Sequence, residues 1–269
     1  MTMTHASSAP RRSGFFQQLA IQMRVIGALM MRELHTRYGR ENVGYLWLIG
    51  EPLMLGSVIA VLHSGQSHHG DINPVALSVV GYTIFIMFRG IVNRSEGAIE
   101  GNAPLLFHRM VTVLDITVAR GLLEAAGTLL SFMVLFSLCL LLGYADLPAR
   151  PLALFAGIGL VFWISLAVSM IITGGTHDRR LLGRLTHPFT YFMIPLSAAF
   201  YRVAWVPQPY RGWLMYVPLP HMFELLRYGA FESATLEFVD IGYVLANCTV
   251  LTLFGLLAMR SVRSRIHLH

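Results

Sequence analysis

Six stretches of the chain run apolar at or near the length that crosses a bilayer: Tyr45–His63, Pro74–Val92, Leu122–Gly143, Leu152–Thr173, Pro188–Val203 and Val239–Met259. A helix needs about 20 apolar residues to cross a roughly 30 Å hydrocarbon core, and the alternation of an outer-membrane β-strand is absent. The fifth stretch is the shortest and has Pro195 inside, but Leu185 and Ala204-Trp205 extend it. The pattern predicts an all-α polytopic membrane protein with six transmembrane helices, and an even number of spans puts both termini on one side.

Between the spans the apolar positions change period. Phe15, Leu19, Met23, Ile26, Met30 and Leu34 recur every three or four residues. At 100° per residue they share an arc of about 100°, the mark of an amphipathic helix lying in the headgroup plane. The segment 93–121, between the second and third spans, holds a short polar helix over Ser95–Glu100. Gly101, Asn102 and Pro104 break it, and an exposed apolar cluster, Leu105-Leu106-Phe107, follows, of the kind that docks on a partner. Before the last span, Trp213–Leu219 is too short to cross, and Pro218 and Pro220 separate it from an amphipathic His221–Phe231. This predicts a pair of re-entrant or interfacial helices on the outer face, with Trp205, Tyr210, Trp213 and Tyr216 at headgroup level. The expected organisation is a disordered cytoplasmic tail over 1–14, the interfacial helix over 15–40, the six-helix domain over 41–260 and a second cytoplasmic tail over 261–269.

Composition agrees with lipid as the solvent: 55% of the 269 residues are hydrophobic and 13% charged, against roughly 25% charged in a soluble domain. The net charge of +6 comes entirely from arginine, for the chain has no lysine. With both termini cytoplasmic, fifteen arginines fall on the cytoplasmic side and four outside, as the positive-inside rule requires. The missing lysine also removes a Walker-type ATPase site, whose lysine reaches the β- and γ-phosphates. If the chain works with ATP, the nucleotide and its Mg²⁺ would be held by a partner, and the chain itself is expected to need no cofactor. Cys139 and Cys248 lie mid-span and read as small hydrophobes. His63, His68, His69 and Asp71 form no helical i,i+4 metal pair, and no nucleophile–base pair is recognisable by spacing. An integral-membrane enzyme acting on lipid-linked sugars is the contrasting class.

Charges inside apolar runs carry more information. Glu51, about six residues into the first span, is followed by Pro52, which removes a backbone donor and bends the helix; the freed groups must meet protein or water, not acyl chains. Arg89 or Arg94 is the expected partner of Glu51, whereas Glu124 and Arg89 near span ends read as snorkelling groups.

The blocks "RELHTRYG" with "GYLWLIGEP", "RSEGAIEGN" continuing to "LDITVARGLLE", and "PLPHMFELLRYGAF" resemble, in order and over nearly the whole chain, the inner-membrane permease subunit of bacterial capsular polysaccharide ABC exporters, within the ABC-2 type transporters. The resemblance implies a homodimer, two copies of a separate ABC ATPase subunit, and export of lipid-linked polysaccharide across the inner membrane toward a periplasmic adaptor and an outer-membrane channel. Membrane lipids surround such a protein, and nucleic acid is not a partner. The surfaces implied to meet the ATPase are Phe15–Arg37 and Ser95–Arg109, with Glu96, Glu100, Leu105, Leu106, Phe107 and Arg109 as coupling residues. Tyr45 and Trp47 at the inner mouth, Glu51, Arg89 and Arg94 are the candidate substrate path, because sugar rings stack on aromatic faces and an anionic terminus needs cations. Exporters of O antigen, teichoic acid or a drug share the same fold.

Overall fold

The computed structural model describes residues 14–38, 50, 53–58, 61–62, 72–106, 111–176 and 180–266. Among them every regular element is helical. The elements are α1 (Phe15–Tyr38), α2 (Pro74–Asn93), a 3₁₀ turn (Glu100–Asn102), α3 (Ala103–Leu106), α4 (Val113–Leu141), α5 (Pro151–Thr176), α6 (Arg180–Arg184) and α7 (Thr186–Leu196). A second 3₁₀ turn (Val203–Trp205), α8 (Tyr210–Leu214), α9 (Pro218–Ala230) and α10 (Ile241–Ile266) complete them.

Four helices are long and apolar enough to cross a membrane: α2, α4, α5, and α10 over Ile241–Val262. Their burial sets the layout, since 78% of the apolar window of α2 is buried but only 17% of that of α10. The second helix is therefore central, wrapped by α4, α5, α7 and α9, and α10 lies at the periphery against α5 with Leu253, Phe254 and Leu257 exposed. Asn73 accepts from the Val75 N–H and Pro74 opens α2, so a cap and a preset φ fix its start. Thr112 and Asp115 form a reciprocal capping box that starts α4 nine residues ahead of the apolar run at Leu122.

The fifth expected span is shorter than its apolar run. The helix α7 has eleven residues and stops at Ser197, and at 1.5 Å per residue it covers about half of the hydrocarbon core. Pro195 withdraws a backbone donor in its last turn, and Ala198 then turns the chain with φ of 54°. The turn nests in α2, where a Cβ on Gly81 would land on the Ala199 carbonyl oxygen. Gly81→Ala is expected to destabilise the protein by about 1–3 kcal/mol, the usual range for overpacking. The check is the apparent melting temperature of the detergent-purified variant, with Gly27→Ala, where a Cβ meets no heavy atom within 4 Å, as the control.

The pair of helices ahead of the last span also departs from expectation. Tyr210, Trp213 and Tyr216 are exposed around α8, as headgroup anchors would be. The following helix is not amphipathic in its setting: Leu219, Met222, Phe223 and Leu226 join the main core with α2 and α5, and even Glu224 and Arg227 are buried. What the sequence presents as a polar face is thus an internal ion pair.

Candidate functional site

Polar side chains concentrate where α1 crosses the 94–106 loop and the start of α4. On α1, the Gln22 amide donates to Asp115 Oδ1 at 2.7 Å. One helix face further on, an Arg32 guanidinium nitrogen donates to Asn102 Oδ1 at 2.8 Å. Beside it Glu33 Oε1 lies 3.1 Å from Arg120 Nε. Arg120 also donates to the Arg94 carbonyl at 3.1 Å, and the Arg94 guanidinium pairs with Glu124. The chain of contacts therefore runs without a break from α1 through α4 to the end of α2. Asn102 is fixed in turn by donating to the Ala98 carbonyl at 2.8 Å.

An apolar cluster backs this polar chain: Leu29 of α1 with Ile116 and Ala119 of α4, packed by Val25, Ile26, Leu105 and Leu106. Docking of α1 thus follows from its own pattern. The predicted apolar face splits lengthwise: Ile26 and Met30 pack on α4 and the loop, whereas Leu19 and Met23 are exposed.

Several expectations change here. Leu105 and Leu106 are half-buried against α1 and α4, because they sit on α3 and face the apolar stripe of α1. The expected helix over Ser95–Glu100 is a run of turns, broken by Gly97 with φ of +65°, and helical geometry begins instead at Glu100 and continues into α3. Pro104 is tolerated there because it lies in the first turn. Glu124 does not snorkel; it is buried against Gly90, where any side chain would collide with its carboxylate, and it meets Arg94. Arg89 stacks its guanidinium over the Tyr191 ring of α7 at 4.3 Å. Glu96 and Glu100 are exposed, and the Glu96 carboxylate lies over Gly183 of α6. Tyr45, Trp47, Glu51, Phe107, Arg109 and the His63–Asp71 string lie outside the described residues.

Residues 24–231 match the ABC-2 type transporter family. This protein is an ABC-2 type transporter. It is 34% identical over 250 residues to the capsule polysaccharide export inner-membrane protein CtrC of Neisseria meningitidis serogroup B, covering 92% of this chain and 94% of that one. It is also 32% identical over 249 residues to the capsule polysaccharide export inner-membrane protein BexB of Haemophilus influenzae, covering 92% and 94%. Over 269 residues it is 31% identical to the polysialic acid transport protein KpsM of Escherichia coli, covering 94% and 96%.

Away from α1 in this ABC-2 transporter, a second polar centre fastens α9 to the 197–203 turn. Glu224 Oε1 accepts from the Val203 N–H at 2.7 Å and from Arg227 at 3.0 Å, while Arg227 also donates to the Ala198 carbonyl. His221 joins α9 to α10: the Asp240 N–H donates to its Nδ1 at 3.1 Å, which leaves Nε2–H to donate to the Met215 carbonyl at 2.9 Å. Neither centre was legible as a set of partners in the sequence. The signal for each is a charge inside an apolar run, Glu124 in one case and Glu224 with Arg227, three residues on, in the other.

Proposed function

We propose that this ABC-2 transporter is the permease subunit through which lipid-linked capsular polysaccharide leaves the cytoplasm across the inner membrane, driven by a separate ATPase. The names of its relatives support the substrate class, and the absence of lysine leaves nucleotide binding to the partner. In this reading two permease chains form a homodimer over two ATPase copies, both termini are cytoplasmic, and the polymer passes on to a periplasmic adaptor and an outer-membrane channel. The observation that carries the mechanism is the polar chain from Gln22 and Glu33 through Asp115 and Arg120 to Arg94 and Glu124. A push on α1 or the 96–106 segment reaches the ends of α2 and α4 through bonds rather than through solvent.

Tyr45, Trp47, Glu51, Arg89 and Arg94 are proposed to line the inner part of the path. Arg89 suits an anionic terminus because stacking on Tyr191 occupies the guanidinium face and leaves its N–H edge for an acceptor. Arg94, already paired to Glu124, serves by holding the inner mouth in shape.

The test is co-purification with the candidate ATPase followed by ATPase assay in lipid with and without the glycolipid. Stimulation by the glycolipid is expected, and equal rates would overturn the substrate assignment. Glu100→Arg, at an exposed position of the 3₁₀ turn, is expected to weaken ATPase retention about tenfold, the effect of ~1.4 kcal/mol, while the variant elutes from a sizing column as wild type does. For orientation, a cysteine at exposed Gln208 should react with an impermeant thiol reagent in intact cells, and one at exposed Arg184 only after permeabilisation.

A further inference from the structure

At the end of the bundle where α2, α5 and α10 begin, three arginines have their charge spent within the fold. Arg150 donates to the Tyr228 carbonyl at 3.0 Å, Arg211 to the Val206 carbonyl at 2.9 Å, and Arg227 pairs with Glu224. Arg202 differs. It is half-buried, its Nε is enclosed without a hydrogen-bond partner, and no carboxylate among the described residues pairs with it. Glu224 is already taken by Arg227 and the Val203 N–H, and Arg202 lies close enough to Arg227 for the two charges to oppose each other. An enclosed charged donor without a partner is costly, so its presence points to an acceptor supplied from outside the chain.

Depth narrows the choice of acceptor. The turn that carries Arg202 meets α2 where Ala199 touches Gly81, about 10 Å along that helix from Pro74 at 1.5 Å per residue. Val79, one residue removed from that contact's neighbour, packs in one cluster with Leu135 of α4, whose flanking Val134 and Leu138 are exposed as lipid-facing residues are. The 197–203 turn therefore begins inside the hydrocarbon layer, and Ala198 and Val203 share one apolar cluster, which keeps Arg202 near that level. Irregular backbone at such depth is tolerated only against protein or a water-filled cavity, and an intramembrane cation faces the same restriction. The open side of α2 leads to the same place. Between Val75 and Val92 only Tyr82, Ile86, Arg89 and Gly90 are not buried, and their spacing puts them on one face. Arg89 stacks on Tyr191 at one end of this stripe; at the other, the Tyr82 ring meets that of Phe200, close before Arg202, with 5.7 Å between centroids.

We infer that Arg202 is a second anion-binding residue of the polymer path, taking a carboxylate or phosphate of the passing glycan at the far end of the stripe from Arg89. The identity of the polymer rests on the function proposed above; the unpaired cation and its depth do not. The backbone on both sides of Arg202 is held, by Arg227 on the Ala198 carbonyl and by Glu224 on the Val203 N–H, so the guanidinium is presented from a fixed turn. The stripe between Tyr82 and Arg89 is about 10 Å long, and a polymer charged along its length can touch both cations at once.

The probe is tetragalacturonic acid, an oligosaccharide with a carboxylate on every sugar, titrated against the full-length permease in nanodiscs of phosphatidylethanolamine and phosphatidylglycerol, with uncharged maltotetraose as the control. Arg202→Gln, eluting from a sizing column as wild type does, is expected to weaken tetragalacturonate binding about tenfold and to leave maltotetraose unchanged. Arg202→Lys should recover part of the loss, since it restores the charge but not the planar fork. Unchanged tetragalacturonate binding in Arg202→Gln overturns the site, and if Arg89→Gln weakens binding in the same assay, the proposed path stands without Arg202. Loss of retained phosphatidylglycerol in place of tetragalacturonate makes Arg202 a headgroup anchor and overturns it as well. Binding that depends on Arg202, in a permease whose ATPase partner the glycolipid does not stimulate, would support the anion site and refute the proposed substrate, so the two fail separately. Should Arg202→Gln not fold, phenylglyoxal labelling of the wild type decides: saturating tetragalacturonate is expected to slow modification of Arg202, mapped by peptide mass spectrometry, about tenfold, and equal rates with and without it overturn the proposal.

Discussion

Glu224→Ala is expected to be the most damaging single substitution in the described part of the chain, costing about 3–5 kcal/mol, the range for removing one member of a buried ion pair. Arg227 is 1% exposed, so loss of the carboxylate strands a cation that has no route to water. The Val203 N–H loses its acceptor at the same time, and the turn at Ala198 loses the geometry of the guanidinium that holds its carbonyl. The readout is the apparent melting temperature of the purified protein, followed by fluorescence-detected size exclusion after heating. Glu224→Leu combined with Arg227→Met should recover a large part of the loss, because an apolar pair of similar volume leaves no charge to solvate. A Glu224→Ala variant that melts with wild type would show that water reaches Arg227, contrary to its enclosure by α9 and the 197–203 turn.

The second large effect belongs to the end proposed to meet the ATPase. Glu124→Gln keeps the shape of the side chain in the pocket made by Gly90 but removes the charge that Arg94 meets. Arg94 and Arg120 then keep the bond through the Arg94 carbonyl and the contact of Arg120 with Glu33, but the two guanidinium groups share the region with one negative charge fewer. Glycolipid-stimulated ATPase activity and surface polysaccharide are expected to fall about tenfold, equivalent to losing ~1.4 kcal/mol of the 1–3 kcal/mol typical of coupling between sites, with ATPase binding kept. Glu33→Gln should act in the same direction but more weakly, since α1 retains Gln22 on Asp115 and Arg32 on Asn102. Export at the wild-type rate in both variants would remove the polar chain from the mechanism.

Much of this architecture was readable from the pattern alone, and the reasons differ by element. The long helices α2, α5 and α10 follow from continuous apolar runs, which lipid makes nearly obligatory for a helix. The α1 stripe was legible because a 3.6-residue period survives whether the partner is a headgroup layer or another helix. What sequence could not decide was which partner each face meets. Leu105 and Leu106 read as exposed because they stand in a polar loop, and they turn inward only because α1 offers Leu29, which lies 76 residues before Leu105 in the sequence. The helix α9 read as amphipathic because Glu224 and Arg227 look solvated when counted singly, and their mutual neutralisation appears only in space. The length of α7 was hidden for a related reason: apolar residues continue past Ser197, but the backbone turns at Ala198.

The close helix contacts bear on where such a protein can yield. At Gly81 the second helix meets the backbone of Ala199, at Gly174 the fifth meets the backbone of Ala258 in α10, and at Gly229 the ninth meets that of Leu154 in α5. Side chains accommodate sliding by changing rotamer, but main chain pressed on main chain has no such compliance. The seams at Gly174 and Gly229 make α5, α9 and α10 a single stiff body, and the seam at Gly81 fixes α2 to the turn whose Ala198 carbonyl Arg227 of α9 holds, so force entering at α1 displaces the body whole rather than prying its helices apart. In a dimer the aperture for a polymer would then open along the boundary between the two copies, and its width would be governed by how far each rigid half tilts.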